Sequence, residues 1–214
     1  MKLFTYVIIA LMLCGIAMAA EVPTSEGDKA LVFNFNGLAN LDLDGPHSYG
    51  IGMRYYMADM TAIRATLVFG NCKYTEEADM EGYADYEENM SVYGLEAVYE
   101  KHMESPCASV VPYWGLGAGF EMGNYETIEP TGSGGGTSSN NEKYNGFYFF
   151  GALGFEWAFT NCMTLGGEYQ AGFGTYSGET EYDYSGGDRT ETCCKWTDTC
   201  MGFGEASVWL SVYW

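Results

Sequence analysis

Apolar and polar residues alternate with period two along most of this chain, which is the side-chain period of a β-strand. Eight segments carry the alternation, at 30–38, 48–57, 61–70, 91–100, 110–121, 144–157, 165–173 and 206–214. In the second, Tyr49, Ile51, Met53 and Tyr55 oppose Gly50, Gly52 and Arg54. In the third, Ile63, Ala65, Leu67 and Phe69 oppose Arg64, Thr66 and Val68. In the fifth, Trp114, Leu116, Ala118 and Phe120 oppose Gly115, Gly117 and Gly119. The last places Val208, Leu210, Val212 and Trp214 against Ser207, Trp209, Ser211 and Tyr213. One face is apolar throughout, and the other is small or polar.

That string fits a barrel with a lipid-facing exterior and a polar interior. A soluble barrel with its apolar face packed inside writes the same string. Three features favour the membrane. The charges Arg54, Arg64, Glu96, Glu156 and Glu168 recur on the face opposite the apolar one, as candidate lumen charges. Glycines crowd that same face, as a narrow lumen requires. Aromatic residues recur near strand ends, like the girdles at the two membrane interfaces.

The spacing between segments supplies a topology. Short links fall around Ala58-Asp59, around 103–107 and around 160–162, while long links run over 71–90, 122–143 and 174–201. The first link, 40–47, is intermediate. Alternating long and short links predict an all-β, eight-stranded, antiparallel up-and-down transmembrane barrel with short periplasmic turns and long external loops. Composition agrees: aromatics make up 16%, and 29 glycines stand against 5 prolines. No apolar run after residue 20 is long enough for a membrane-spanning helix. A membrane protein built from strands must close, because every backbone polar group in lipid needs a partner.

The stretches VVPYWGLGAGFEMG (110–123), TAIRATLVFG (61–70), MTLGGEYQAGFG (163–174) and the C-terminal ASVWLSVYW carry a resemblance. On them the chain resembles the small outer-membrane β-barrel family, the OmpA/OmpX/OmpW-like and opacity-porin-like group. The resemblance implies a bacterial outer-membrane location, contact with outer-membrane lipid, a monomer, and no cofactor. It also implies insertion by the barrel-assembly machinery, for which Val208, Leu210, Val212 and Trp214 are the candidate assembly signal. Such barrels include adhesins, stress proteins and small channels, so the resemblance does not name a function.

The N-terminus reads as a secretory signal: Lys2, an apolar run over 3–16, then Ala17-Met18-Ala19 as a small-x-small cleavage site. The expected organisation is therefore a signal peptide at 1–19 and one barrel domain at 20–214. Cys14-Gly15 raises a lipoprotein signal, but the preceding residue is Leu13 where such signals carry a small residue.

Formal charge is −20, and the acid concentrates in links such as TEEADMEGYADYEEN. A basic surface for nucleic acid is absent. The acidic links read as a solvated rim that keeps loops extended, or as a weak site for divalent cations or a basic partner. No EF-hand spacing is present, so no dedicated metal site is expected. Six cysteines lie beyond the signal, at Cys72, Cys107, Cys162, Cys193, Cys194 and Cys200. In an oxidising compartment they are candidate disulfide partners. Cys107 with Cys162 would staple the periplasmic rim, and Cys72 would join the fourth-loop cysteines outside. Zinc lacks histidine support and C-x-x-C spacing there.

Catalysis is not expected. His47 and His102 are the only histidines, and neither has a placed acid and nucleophile. The function these residues indicate is a structural or surface-interaction role through acidic, cysteine-containing external loops. The alternative is a narrow porin for water, ions or small solutes.

Overall fold

The computed structural model describes residues 20–36, 48–76, 85–130, 137–184 and 190–214. The expected signal peptide, His47 and the acidic stretch 77–84 lie outside the described residues. Eight strands follow in chain order: β1 (Lys29–Asn36), β2 (Ser48–Ala58), β3 (Thr61–Glu76), β4 (Tyr86–His102), β5 (Val110–Pro130), β6 (Thr137–Thr160), β7 (Met163–Tyr184) and β8 (Thr190–Tyr213). Each pairs antiparallel with its neighbour, and β1 closes on β8, with Ala30 opposite Tyr213 and Asn36 opposite Ser207. Over the span that β1 and β8 share, the sheet closes on itself.

Three short turns define one end of the barrel. Asp59-Met60 joins β2 to β3, residues 103–109 join β4 to β5, and Asn161-Cys162 joins β6 to β7. Met60 takes a left-handed backbone, with φ of 60°. The opposite end carries three long hairpins. The long links expected over 71–90, 122–143 and 174–201 are largely paired strand: Glu76 meets Tyr86, Pro130 meets Thr137, and Asp183 meets Thr190. Cys193, Cys194 and Cys200 accordingly sit on β8 rather than in a loop, while Cys72 lies on the outer part of β3 as expected. The ladder continues because backbone pairing needs no side-chain pattern, whereas the period-two signal needs one apolar and one polar surroundings. Burial along β6 shows this: residues 137–142 are uniformly half-buried, and alternation sets in further down the strand.

The alternation decides what the sequence left open. Large apolar side chains face out, including Ile51, Met53, Leu67, Leu95, Leu116, Phe149, Leu153 and Phe173, all exposed. Arg54, Arg64, Glu96, Glu100, Glu156 and Glu168 face in and are buried. A soluble barrel would show the reverse. Trp209, a lumen-side residue in the alternation, is fully buried with Ala30, Val32, Tyr56, Ala62 and Tyr213.

Glycines of the inner face make room for rings. A Cβ on Gly117 would overlap the Phe150 ring, and one on Gly119 would overlap the Tyr148 ring. Both rings lie across from those glycines in the β5–β6 register. The aromatic inner residues of β6 thus lie flat over β5 instead of competing for the centre of the barrel.

Candidate functional site

The inner face gathers all five charges that alternation assigns to the lumen. Arg54 and Arg64 stand directly opposite each other on β2 and β3. Like charges facing across strands repel, so anions must come from elsewhere in the ring. Glu100 on β4 supplies the first. Its carboxylate bridges both arginines, at 2.7 Å from Arg54 Nε and 3.0 Å from Arg64 Nε. Glu156 on β6 pairs with Arg54 Nη1. Glu168 on β7 accepts from Arg64 Nη2 at 2.9 and 2.8 Å. Glu96 is looser, 4.0 Å from Arg64 Nη2.

Neutral donors complete the cluster. Tyr213 OH donates to Glu156 at 2.8 Å and Tyr113 OH to Glu168 at 2.7 Å. Ser211 Oγ donates to Glu156 at 3.2 Å, and Gln170 Nε2 to Glu168 at 2.8 Å. The Arg64 guanidinium lies 3.7 Å above the Trp209 ring. His102 Nε2 lies 3.2 Å from Tyr56 OH and 3.4 Å from Glu100, and its ring stacks on Tyr113. The arginine side chains are 0% exposed, and those of Glu100, Glu156 and Glu168 at most 1%. Buried charges persist only when paired and hydrogen-bonded in this way. Chemically the cluster is a fixed cross-brace tying β2, β3, β4, β6 and β7 together across the lumen.

Glu100 and His102 are the residues that sequence reasoning missed. A signal existed for Glu100: it shares the face of Glu96, four residues on. His102 continues that face, but it reads as part of the turn because the alternation runs out there.

Among the described side chains no disulfide joins the candidate cysteines. Cys72, Cys107, Cys162 and Cys200 are free thiols, and the side chain of Cys193 lies outside the described residues. Cys107 lies in the β4–β5 turn and Cys162 in the β6–β7 turn, with β5 and β6 between them. Cys72 on β3 and Cys200 on β8 are separated by β1 and β2. The two ends tune thiols oppositely. Hydrogen bonds from the side chain and backbone of Ser109 hold the Cys107 thiol below its usual pKa. The Asp198 carboxylate, which accepts from Cys200 Sγ at 3.4 Å, pushes that thiol up.

Val208, Leu210 and Val212 face outward and are half-buried, and Trp214 is exposed. No group of three or more metal-ligating side chains comes together among the described residues.

No protein-family model matches the chain, and no curated protein matches it. Among solved structures it is similar to a major outer membrane protein from Thermus thermophilus, at 8% identity over 88% of this chain and 100% of that one, with a TM-score of 0.50. It is also similar to Acinetobacter baumannii CarO2, at 13% identity over 88% of this chain and 99% of that one, with a TM-score of 0.48. The N-terminal β-barrel domain of Pseudomonas aeruginosa OprF matches at 13% identity over 88% and 98%, with a TM-score of 0.41. At such identities a likeness speaks to fold alone. The chain has the fold of the small outer-membrane β-barrels: eight antiparallel strands, closed, with charge inside and apolar bulk outside.

Proposed function

We propose that this protein is a bacterial outer-membrane barrel, exported by the segment 1–19, with a structural or surface-interaction role and a lumen closed to solutes. The exposed apolar exterior supports the membrane setting, because contiguous apolar surface of that extent is otherwise rare. The observation that carries closure is the cross-brace of Arg54, Arg64, Glu100, Glu156 and Glu168, buried inside a ring that side chains can fill.

In this reading the turn end faces the periplasm and the three hairpins project outward. They carry acid such as Glu76, Glu87, Glu129, Glu179 and Glu181 on paired strands. Recognition belongs there, on extensions that vary without cost to the barrel. The acid would gather divalent cations weakly or hold a basic partner. No catalytic role is assigned, and the bonds of His102 to Tyr56 and Glu100 suit a structural one. The barrel is a monomer, inserted by the barrel-assembly machinery through Val208, Leu210, Val212 and Trp214.

Planar-bilayer recording of the purified barrel tests closure. No steady conductance steps are expected, and reproducible unitary steps would restore the narrow-porin reading. Calorimetry with millimolar calcium should show weak heat, and its absence removes the cation arm. Deleting Trp214 should lower the yield of heat-modifiable, membrane-inserted protein, and an unchanged yield removes its role as an assembly signal.

A further inference from the structure

Residues 20–28 precede β1, and they do not hang free. Their backbone is bonded along the turn end. Gly27 N donates to Tyr56 O at 2.9 Å, and Tyr56 N to Asp28 O at 3.0 Å. Met60 N, in the β2–β3 turn, donates to Thr24 O at 2.8 Å. Glu26 N donates to Asp59 Oδ1 at 3.0 Å. Further on, Val22 N donates to Ala108 O, in the β4–β5 turn, at 3.3 Å.

These bonds trace a path across the mouth. In an eight-stranded ring, β5 and β6 lie opposite β1. The segment starts beside β1 and ends with Ala20 and Val22 packed against Val111 of β5, Ala158 of β6 and Met60. Val111 and Ala158 belong to the inner face, with Val111 opposite Glu156 in the register. Val22 is 5% exposed and Ala158 0%. The segment therefore lies across the barrel at its turn end, below the ion-pair cluster, with Ala20 and Val22 as the apolar residues it buries in the mouth. On its far side it is not bonded flush: a cleft of about 450 Å³ separates residues 21–25 from Asn161 of the β6–β7 turn.

We propose that residues 20–28 form a strap that seals the turn-end mouth, so that the lumen is sheltered from solvent at that end. This goes beyond the closure by the charge cluster. The cluster braces the wall, and the strap keeps water from reaching it. Apolar contact in the mouth and backbone bonds to two turns hold the strap down, so a charge at Val22 should lift it.

His102 reports on the seal. It is an inner-face residue at the turn end, 2% exposed, and its amide N donates to Met60 O at 2.9 Å, the same turn that anchors the strap. The experiment is carbethoxylation by diethyl pyrocarbonate of the folded, detergent-solubilised full chain, read by peptide mass spectrometry. The His47 peptide serves as the internal control. In the parent protein His102 should react slowly. Val22→Asp should speed its modification at least tenfold, and the milder Val22→Ala should give an intermediate rate that stands even if the aspartate variant does not fold. Heat-modifiable mobility selects folded material, and the His47 rate should not change. An equal His102 rate in the parent and all folded variants would overturn the strap. Bilayer conductance of the same samples reads the charge cluster separately, so a failed strap and a conducting lumen are distinguishable.

Discussion

The two faces of one ladder obey opposite rules. Inward, Glu100 and Glu168 pair with the arginines at 2.7–3.0 Å with their side chains fully buried, and glycines yield their space to neighbouring rings. Outward, side chains are large, apolar and exposed, and the ion pairs on the projecting hairpins, Lys73–Glu87 and Lys143–Glu181, are solvent-facing. The same backbone carries both. Interaction strength is set by the surroundings a side chain points into, and residue type alone does not fix it.

The comparison can be broken most sharply at the ion pairs. Glu100→Ala leaves Arg54 and Arg64 facing each other without their bridge. It should destabilise the folded barrel by about 3–5 kcal/mol, the usual cost of unpairing a buried charge. Glu87→Ala, which unpairs Lys73 on the outer face, should cost within about 1 kcal/mol. Urea titration followed by heat-modifiable mobility measures both, and equal costs would erase the distinction between faces.

Glycine substitutions give a smaller effect of the same kind. A Cβ on Gly172, facing in from β7, would run into the Phe149 carbonyl and lie 2.8 Å from the Phe150 Cα, and backbone cannot move aside without opening the β6–β7 ladder. Gly172→Ala should cost about 1–3 kcal/mol, as overpacking does. Outward-facing Gly151 has its nearest neighbours at 4.0 Å, so Gly151→Ala should be neutral or stabilising by up to about 1 kcal/mol. The same titration reads both. Similar losses at the two positions would mean that space on the inner face is not what the glycines provide.

The smallest effect contrasts the two ends rather than the two faces. Ser109 favours the Cys107 thiolate and Asp198 disfavours that of Cys200. Alkylation rises with thiolate fraction, so the pH–rate curve for Cys107 should lie to the acid side of that for Cys200. Single-cysteine variants treated with iodoacetamide across pH 6–10, a range of about four units around the ordinary thiol value, would show it. Coincident curves would mean that neither neighbour tunes its thiol.

Much of this was legible in the residues. Strand number, the outward set and the inward charges Arg54, Arg64, Glu96, Glu156 and Glu168 all follow from period-two alternation, which is a local property. Strand length was not. The hairpins extend past Gly70, Glu121 and Phe173 with no apolar-polar contrast, since both faces meet similar surroundings there. Pairing was not legible either. Alternation puts an arginine inside but does not say that Glu100 on β4 will bridge two of them, or that Glu96 will stand 4.0 Å away. Those distances depend on the stagger of eight strands around a closed ring. The same stagger leaves Cys107 and Cys162 unjoined and carries residues 20–28 across the mouth to β5 and β6. By itself the sequence determined which way each side chain faces, because that depends only on its parity along a strand. Only the tertiary structure decided which of those side chains meet, because ring closure joins side chains in hydrogen bonds as much as 159 positions apart.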